Sequence, residues 1–225
     1  MTRTRLLALF LLLIAFTGCI TIEENYTFKK DGSGTMEYVV DMSQIGEMMK
    51  AFENMGDGKD KGKKKDGLGE LDLKDEVAEL KKVPGIKKVK VNAKDKFVQK
   101  VSFRFADINA LNAALNVLMR DSTGVQHTFF TWEGNTLVRT SNGNARDIGM
   151  GMGKEDPSDS TDMTEFLSAM KYKYSFNFAD PIASTGTAEG VEQENPDPRT
   201  VKLNTDFSLI SKDEKALDLR IELKR

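Results

Sequence analysis

The 225-residue chain has one cysteine, one histidine and one tryptophan. A single cysteine excludes any disulfide within the chain. A single histidine, His127, with no free cysteine to help it, leaves too few groups for a zinc site or a Ser-His-Asp triad. Excess positive charge is also missing: 33 lysines and arginines stand against 35 aspartates and glutamates. That balance argues against a general nucleic-acid binder, whose footprint is strongly basic. No apolar run reaches the length of about 17–25 residues that a membrane-crossing helix needs. The longest, Leu6 to Phe16, has eleven.

That short run is nevertheless informative. Arg3 and Arg5 precede it and Thr17-Gly18-Cys19 closes it. Basic start, apolar middle and small residues at the end are the marks of an export signal. The pattern resembles that of bacterial lipoproteins, which are cut before a cysteine carrying a diacylglyceryl group and later acylated again, commonly with palmitate. Phe16 stands where such signals usually have leucine. The expectation is a signal peptide over 1–18, lipidation at Cys19, and a single domain over 19–225. Removing the signal leaves 207 residues with 31 basic and 35 acidic side chains.

Ile20, Ile22, Tyr26 and Phe28 alternate as a strand, Asp31-Gly32-Ser33-Gly34 supplies a turn, and Thr35 to Met42 returns as a second strand. Ser43 then caps a helix with Ile45, Met48, Met49, Phe52 and Met55 along one face. Over 56–69 the periodicity is replaced by five glycines, five lysines and three aspartates, which predicts a disordered or mobile loop. Leu73, Val77 and Leu80 mark a helix stopped by Pro84-Gly85. Ile86 to Ala93 and Phe97 to Phe105 form another hairpin, and Asp107 caps a helix with Ile108, Leu111, Leu115 and Leu118 inward. His127 to Glu133 and Thr136 to Thr140 read as a third hairpin, and 141–161 as a second mobile loop. Asp162 and Glu165 open a short helix with Met163, Phe166, Leu167 and Met170 on one face. Tyr172, Tyr174, Phe176 and Phe178 alternate in the clearest strand. Pro181 ends it, an irregular connection begins at Ile182, and strands around Val201–Phe207 and Leu217–Leu223 finish the chain. The fold class is α+β, a mainly antiparallel sheet with three to four packed amphipathic helices and two flexible charged loops.

A cysteine followed by an aromatic strand, the turn Gly32-Ser33-Gly34 and a returning strand resembles the opening of the LppM-type lipoprotein domain. The ending is similar as well: Tyr172 to Phe178, Asp180-Pro181-Ile182, a loop and two strands. The resemblance covers residues 19–45 and 170–225. Ala179-Asp180 stands between Phe178 and Pro181, and the lysine-rich insertion has no counterpart. The resemblance implies a cell-envelope lipoprotein with affinity for lipids or glycolipids, and it carries no catalytic residues.

Other candidate chemistry is thin. Ser168 and Lys171 have the S-x-x-K spacing of some acyl transferases, but no K-T-G accompanies them. Met150, Met152 and Met163 are thioethers of the kind that bind Cu(I). Asp156, Asp159 and Asp162 lack the ligand order and glycine of a calcium loop. Lys59 to Lys65 could touch anionic headgroups, although the aspartates among them leave little net charge. No catalytic residue, metal or cofactor is expected, and the chain reads as non-enzymatic. Two Met-rich helix faces, at Met48, Met49, Phe52 and Met55 and at Phe166 and Met170, either fill a dry core or line a site for an acyl chain. The leading expectation is a module that binds a lipid or other amphiphile at the envelope surface. The alternative is an assembly subunit that meets an envelope protein partner and takes no small ligand. Ile20 is not aspartate, which by the sorting pattern of two-membrane bacteria points to the outer membrane.

Overall fold

The computed structural model describes residues 20–46, 73–95, 97–152 and 160–224. Apolar and polar residues alternate through most of its strands, each of which buries one side. The first hairpin, β1 (Ile20–Phe28) and β2 (Gly34–Asp41), pairs in register over eight residues. Gly32 turns the chain at φ 80°, and Gly34 lies so close to the Thr27 carbonyl that a Cβ would sit 2.0 Å from it. A helical turn follows at 43–46.

Helix α1 (Lys74–Leu80) precedes the hairpin β3 (Ile86–Asp95) and β4 (Val98–Phe105). Opposite Phe103, strand β3 carries two residues, Lys88 and Val89, instead of one. This bulge keeps both Ile86 and Val89 toward the core, where strict alternation would turn Val89 out. Lys88 holds φ at 54° to make it, a conformation that costs a non-glycine residue about 1–2 kcal/mol. Helix α2 (Ile108–Leu118) is capped as expected, the Asp107 carboxylate accepting from the Ala110 amide at 2.9 Å.

Strands β5 (Phe130–Glu133) and β6 (Thr136–Arg139) make the third hairpin. Helices α3 (Asn144–Met152) and α4 (Ser160–Ala169) lead to β7 (Met170–Phe178). Then come β8 (Ile182–Thr187), β9 (Glu192–Asp197), β10 (Thr200–Asp206), helix α5 (Phe207–Lys212) and β11 (Leu219–Leu223). The strands form two sheets. The larger has the order β3-β4-β2-β1-β7-β10-β9 and the smaller β5-β6-β11-β8. Every pairing is antiparallel except β1 with β7, which run parallel in register over nine residues.

The apolar faces of the two sheets meet. Tyr26 and Phe28 of the larger sheet touch Phe130 and Trp132 of the smaller, with ring centroids 5.1 and 6.0 Å apart for Tyr26–Phe130 and Phe28–Trp132. One buried cluster runs from Ile20 to Leu223 and includes residues of both sheets and of the helices. The second sheet, α2, α4 and α5 all lie against the same face of the larger sheet, and no described element packs on its other face.

Four sequence expectations need correction. The stretch 141–161 contains helix α3 and the start of α4, so it is not a loop throughout its described part. Polar composition concealed α3, which is fixed by burial of Ala145 and by Asp147 accepting from the Ser122 amide at 2.7 Å. The connection after Pro181 holds β8 and β9, whose mostly exposed residues show no apolar alternation and are ordered by backbone pairing. Phe207 starts a helix capped by Asp206 instead of ending a strand. The sheet is two sheets. The expected loop at 56–69 lies outside the described residues. No described helix is long and apolar enough to cross a membrane.

Candidate functional site

Two polar arrangements stand out, one inside the fold and one on its open face. The inner one begins with Glu24, which occupies an inward position of β1 between Ile22 and Tyr26 and is fully buried. A lone carboxylate there would cost several kcal/mol in lost hydration, so it must be paired. Arg139, from β6 of the other sheet and 1% exposed, brings Nη2 to 3.1 and 3.2 Å from the two carboxylate oxygens. The hydroxyls of Tyr26 and Tyr172 donate to the same carboxylate. Arg139 also donates from Nη1 to the Leu217 carbonyl at 3.0 Å, and its guanidinium lies 4.4 Å from the Tyr174 ring centre.

Burial raises the phenol pKa of Tyr26, Tyr38 and Tyr172 far above the ordinary value, and the negative charge of Glu24 raises each further. Tyr174 is raised mainly by burial, against the opposing charge of Arg139. The Tyr174 hydroxyl and Arg139 Nε have no protein partner. The adjoining space, lined in part by Tyr172, Tyr174 and Thr205, is only about 10 Å³, roughly one water. No substrate can reach this carboxylate. It ties β1 to β6 and so fixes how one sheet sits on the other.

The outer arrangement is a groove of about 630 Å³ on the face of the larger sheet against which no described element packs. Alternation creates it: residues that point away from the core on β1, β7, β10 and β9 and line it are charged, amide-bearing or hydroxyl-bearing. Glu23 and Asn25 come from β1, Lys171, Lys173 and Ser175 from β7, Lys202 and Asn204 from β10, and Glu192 and Glu194 from β9. Register sets them side by side, Glu23 beside Lys173 and Lys202 beside Glu194. The ion pairs are loose, with Lys173 Nζ 3.8 Å from Glu23 and Lys171 Nζ 3.8 Å from Asp206. Asn204 donates to Glu192 at 2.8 Å, while its own Oδ1 is left without a partner. The groove therefore offers ammonium groups and carboxylates to a polyhydroxylated or charged group.

Of the residues singled out from the sequence, Cys19, Met48, Met49, Phe52 and Met55 lie outside the described residues. Met170 opens β7 and is fully buried in the common core. Phe166, on α4, is partly buried against that core. The described interior encloses no apolar cavity of ligand size. Ser168 is on α4 and donates to the Thr164 carbonyl at 2.8 Å, whereas Lys171 is on β7, so the S-x-x-K pair does not share a helical face. His127 stacks edge-on against Phe129 with its Nε2 3.2 Å from the Thr140 carbonyl. Among the described residues no three His, Cys, Asp or Glu side chains are grouped to hold a metal ion.

Sequence reasoning missed Glu24 and Arg139. The signal was available: an acid inside an otherwise apolar alternation, Ile20, Ile22, Glu24, Tyr26, Phe28, predicts a buried cation from another strand. It did not say which cation.

No family model matches the chain and no curated protein matches it. Among solved structures the chain is similar to the NMR structure of the folded domain of Mycobacterium tuberculosis LppM. The two are 15% identical, the match covers 93% of this chain and 92% of that one, and the TM-score is 0.44.

Proposed function

We propose that the chain is a bacterial envelope lipoprotein, anchored through Cys19, whose domain is a non-enzymatic module for the polar headgroup of a lipid or other amphiphile. The observation that carries this reading is the position of the outer groove. Lys171 pairs in register with Thr21, one residue past Ile20, and Ser175 with Asn25. At about 3.3 Å per residue, the groove spans roughly 3 to 17 Å from the Ile20 end of the sheet. A lipid on Cys19 holds that end at the bilayer, and the groove then opens at headgroup height. In this reading the acyl chain stays in the membrane, because Met170 is buried in the core and Phe166 packs against it. If the host has two membranes, the outer one is the proposed address.

The alternative, an assembly subunit, finds less support on the described surface. Among the described residues the large apolar side chains that are well exposed are Val91 and Val125. The edge strands of the larger sheet are blunted against strand addition, β3 by its lysines and bulge and β9 by Pro196 and three acids.

Full-length protein reconstituted in phosphatidylcholine vesicles, doped in turn with anionic and with glycosylated lipids, tests the reading. Isotope-labelled Lys171 and Lys173 signals are expected to shift with one lipid class, and Lys171→Ala with Lys173→Ala is expected to abolish the shift of the remaining groove residues. Groove signals that respond to none of the lipids would refute the headgroup reading and leave the assembly subunit.

A further inference from the structure

A second concavity lies on the same face, on the other side of β1, and shares Asn25 with the groove. It has a volume of about 390 Å³ and is bordered by Lys88, Lys90 and Arg104. None of these three cations is in an ion pair among the described residues. One carboxylate reaches the site, Glu37, and it is engaged by Lys100 at 3.2 Å. Lys87, across from Arg104 on β3, adds a further positive charge nearby. Neutral donors complete the lining, with Asn25, Thr35 and Ser102 among them.

The backbone contributes as well. Lys88 is the only non-glycine residue at positive φ among the described residues, and it occupies the extra position of the β3 bulge. Regular alternation would point Lys88 inward. The bulge delivers it to the rim that Lys90 already lines, so two ammonium groups from one strand join the guanidinium of the next. A glycine at this position would form the same bulge without strain and without an amine.

We infer that this corner is a binding site for a multiply phosphorylated anion. Phosphate esters present several oxygens and up to two charges each, which matches a planar guanidinium fork, two ammonium groups and surrounding hydroxyl and amide donors. The source is a soluble anion of the envelope space, not the headgroups of the anchoring bilayer. Arg104 aligns with Thr35, which aligns with Thr27, seven residues beyond Ile20. That is about 23 Å along the strand, more than twice the screening length of about 8 Å at physiological salt. The placement of the bilayer at the Ile20 end rests on the anchoring reading, whereas the site itself does not.

The test is calorimetric titration of sodium tripolyphosphate into full-length protein reconstituted in phosphatidylcholine vesicles. The expected result is one-to-one binding that weakens as salt rises, and that Arg104→Ala or Lys90→Ala each weakens about tenfold, the loss of one charge-assisted contact. Lys88→Gly is expected to weaken binding while raising the Tm, which separates the amine from the fold. Lys171→Ala is expected to leave the affinity unchanged, as is adding phosphatidylglycerol to the vesicles. Absence of binding at millimolar tripolyphosphate would overturn the site. So would full binding by a variant combining Lys88→Ala, Lys90→Ala and Arg104→Ala, or loss on Lys171→Ala in place of Arg104→Ala. Competition by phosphatidylglycerol in the same bilayer would overturn the soluble source.

Discussion

The four tyrosines of the chain make the core testable by alkaline titration. Tyr26, Tyr38, Tyr172 and Tyr174 are all of them, and each is between 2% and 4% exposed. Their folded pKa values are raised above the ordinary value by burial and, for all four, by the charge of Glu24, with Arg139 opposing at Tyr174 and, to a lesser degree, at Tyr26 and Tyr172. A raised folded pKa means that the stabilisation is complete below the unfolded value, about 10 for tyrosine, and is lost as the pH climbs above it. At pH 11 each unfolded tyrosine gains about 1.4 kcal/mol by ionising while its folded counterpart gains nothing. Four of them together remove about 6 kcal/mol at pH 11 and about 11 kcal/mol at pH 12. Native domains hold only about 5–15 kcal/mol, so unfolding is expected between about pH 11 and pH 12 for stabilities in the lower part of that range. The assay follows tyrosinate absorbance near 295 nm together with far-ultraviolet circular dichroism. The two are expected to change in one cooperative step. Tyrosinate appearing smoothly around pH 10, with the dichroism unchanged, would refute the sealed cluster.

Three further outcomes follow from the same structure. Arg139→Met strands the buried Glu24 carboxylate and is expected to cost about 3–5 kcal/mol in urea unfolding. Replacing Glu24, Arg139, Tyr26 and Tyr172 together by Leu, Met, Phe and Phe is expected to cost far less, because no buried charge is then left unpaired and the Leu217 carbonyl alone loses a donor; equal losses would contradict this. Gly34→Ala places a methyl 2.0 Å from the Thr27 carbonyl and 2.4 Å from the Phe105 ring, and is expected to lower stability by about 3 kcal/mol or more. Asn116→Ala removes the side-chain amide that bonds both the amide and the carbonyl of His127, at 2.7 and 2.8 Å. It is expected to cost about 1–3 kcal/mol and to speed hydrogen exchange at the His127 amide, with Asn112 and Phe130 unaffected.

What was legible in the sequence follows from where side chains are buried. Strands with one face in the core, such as β1, β4 and β7, announce themselves by alternation because the core requires it. The caps at Asp107 and the stop at Pro84-Gly85 were readable because a helix end needs those groups locally. Strands β8 and β9 were not, since a mostly exposed strand has no apolar face to display and owes its order to hydrogen bonds with a neighbour. Register-dependent features were hidden for the same reason. The parallel alignment of Thr21 with Lys171 that forms the groove joins residues 150 positions apart, and nothing local encodes it. The bulge at Lys88 is a partial exception: Ile86 and Val89 are three apart, an odd spacing for two residues that both face the core of a strand.

The chain enters the domain through the middle of its larger sheet. Strand β1 is flanked on one side by eight paired residues of β2 and on the other by nine of β7. Tension applied ahead of Ile20 runs along the strand axis and must shear both rows of hydrogen bonds at once, where a terminal edge strand would peel away one bond at a time. A tether at this end therefore loads the strongest line in the molecule. If Cys19 carries the proposed anchor, drag on this face of the sheet passes to it through β1 without unzipping either sheet edge.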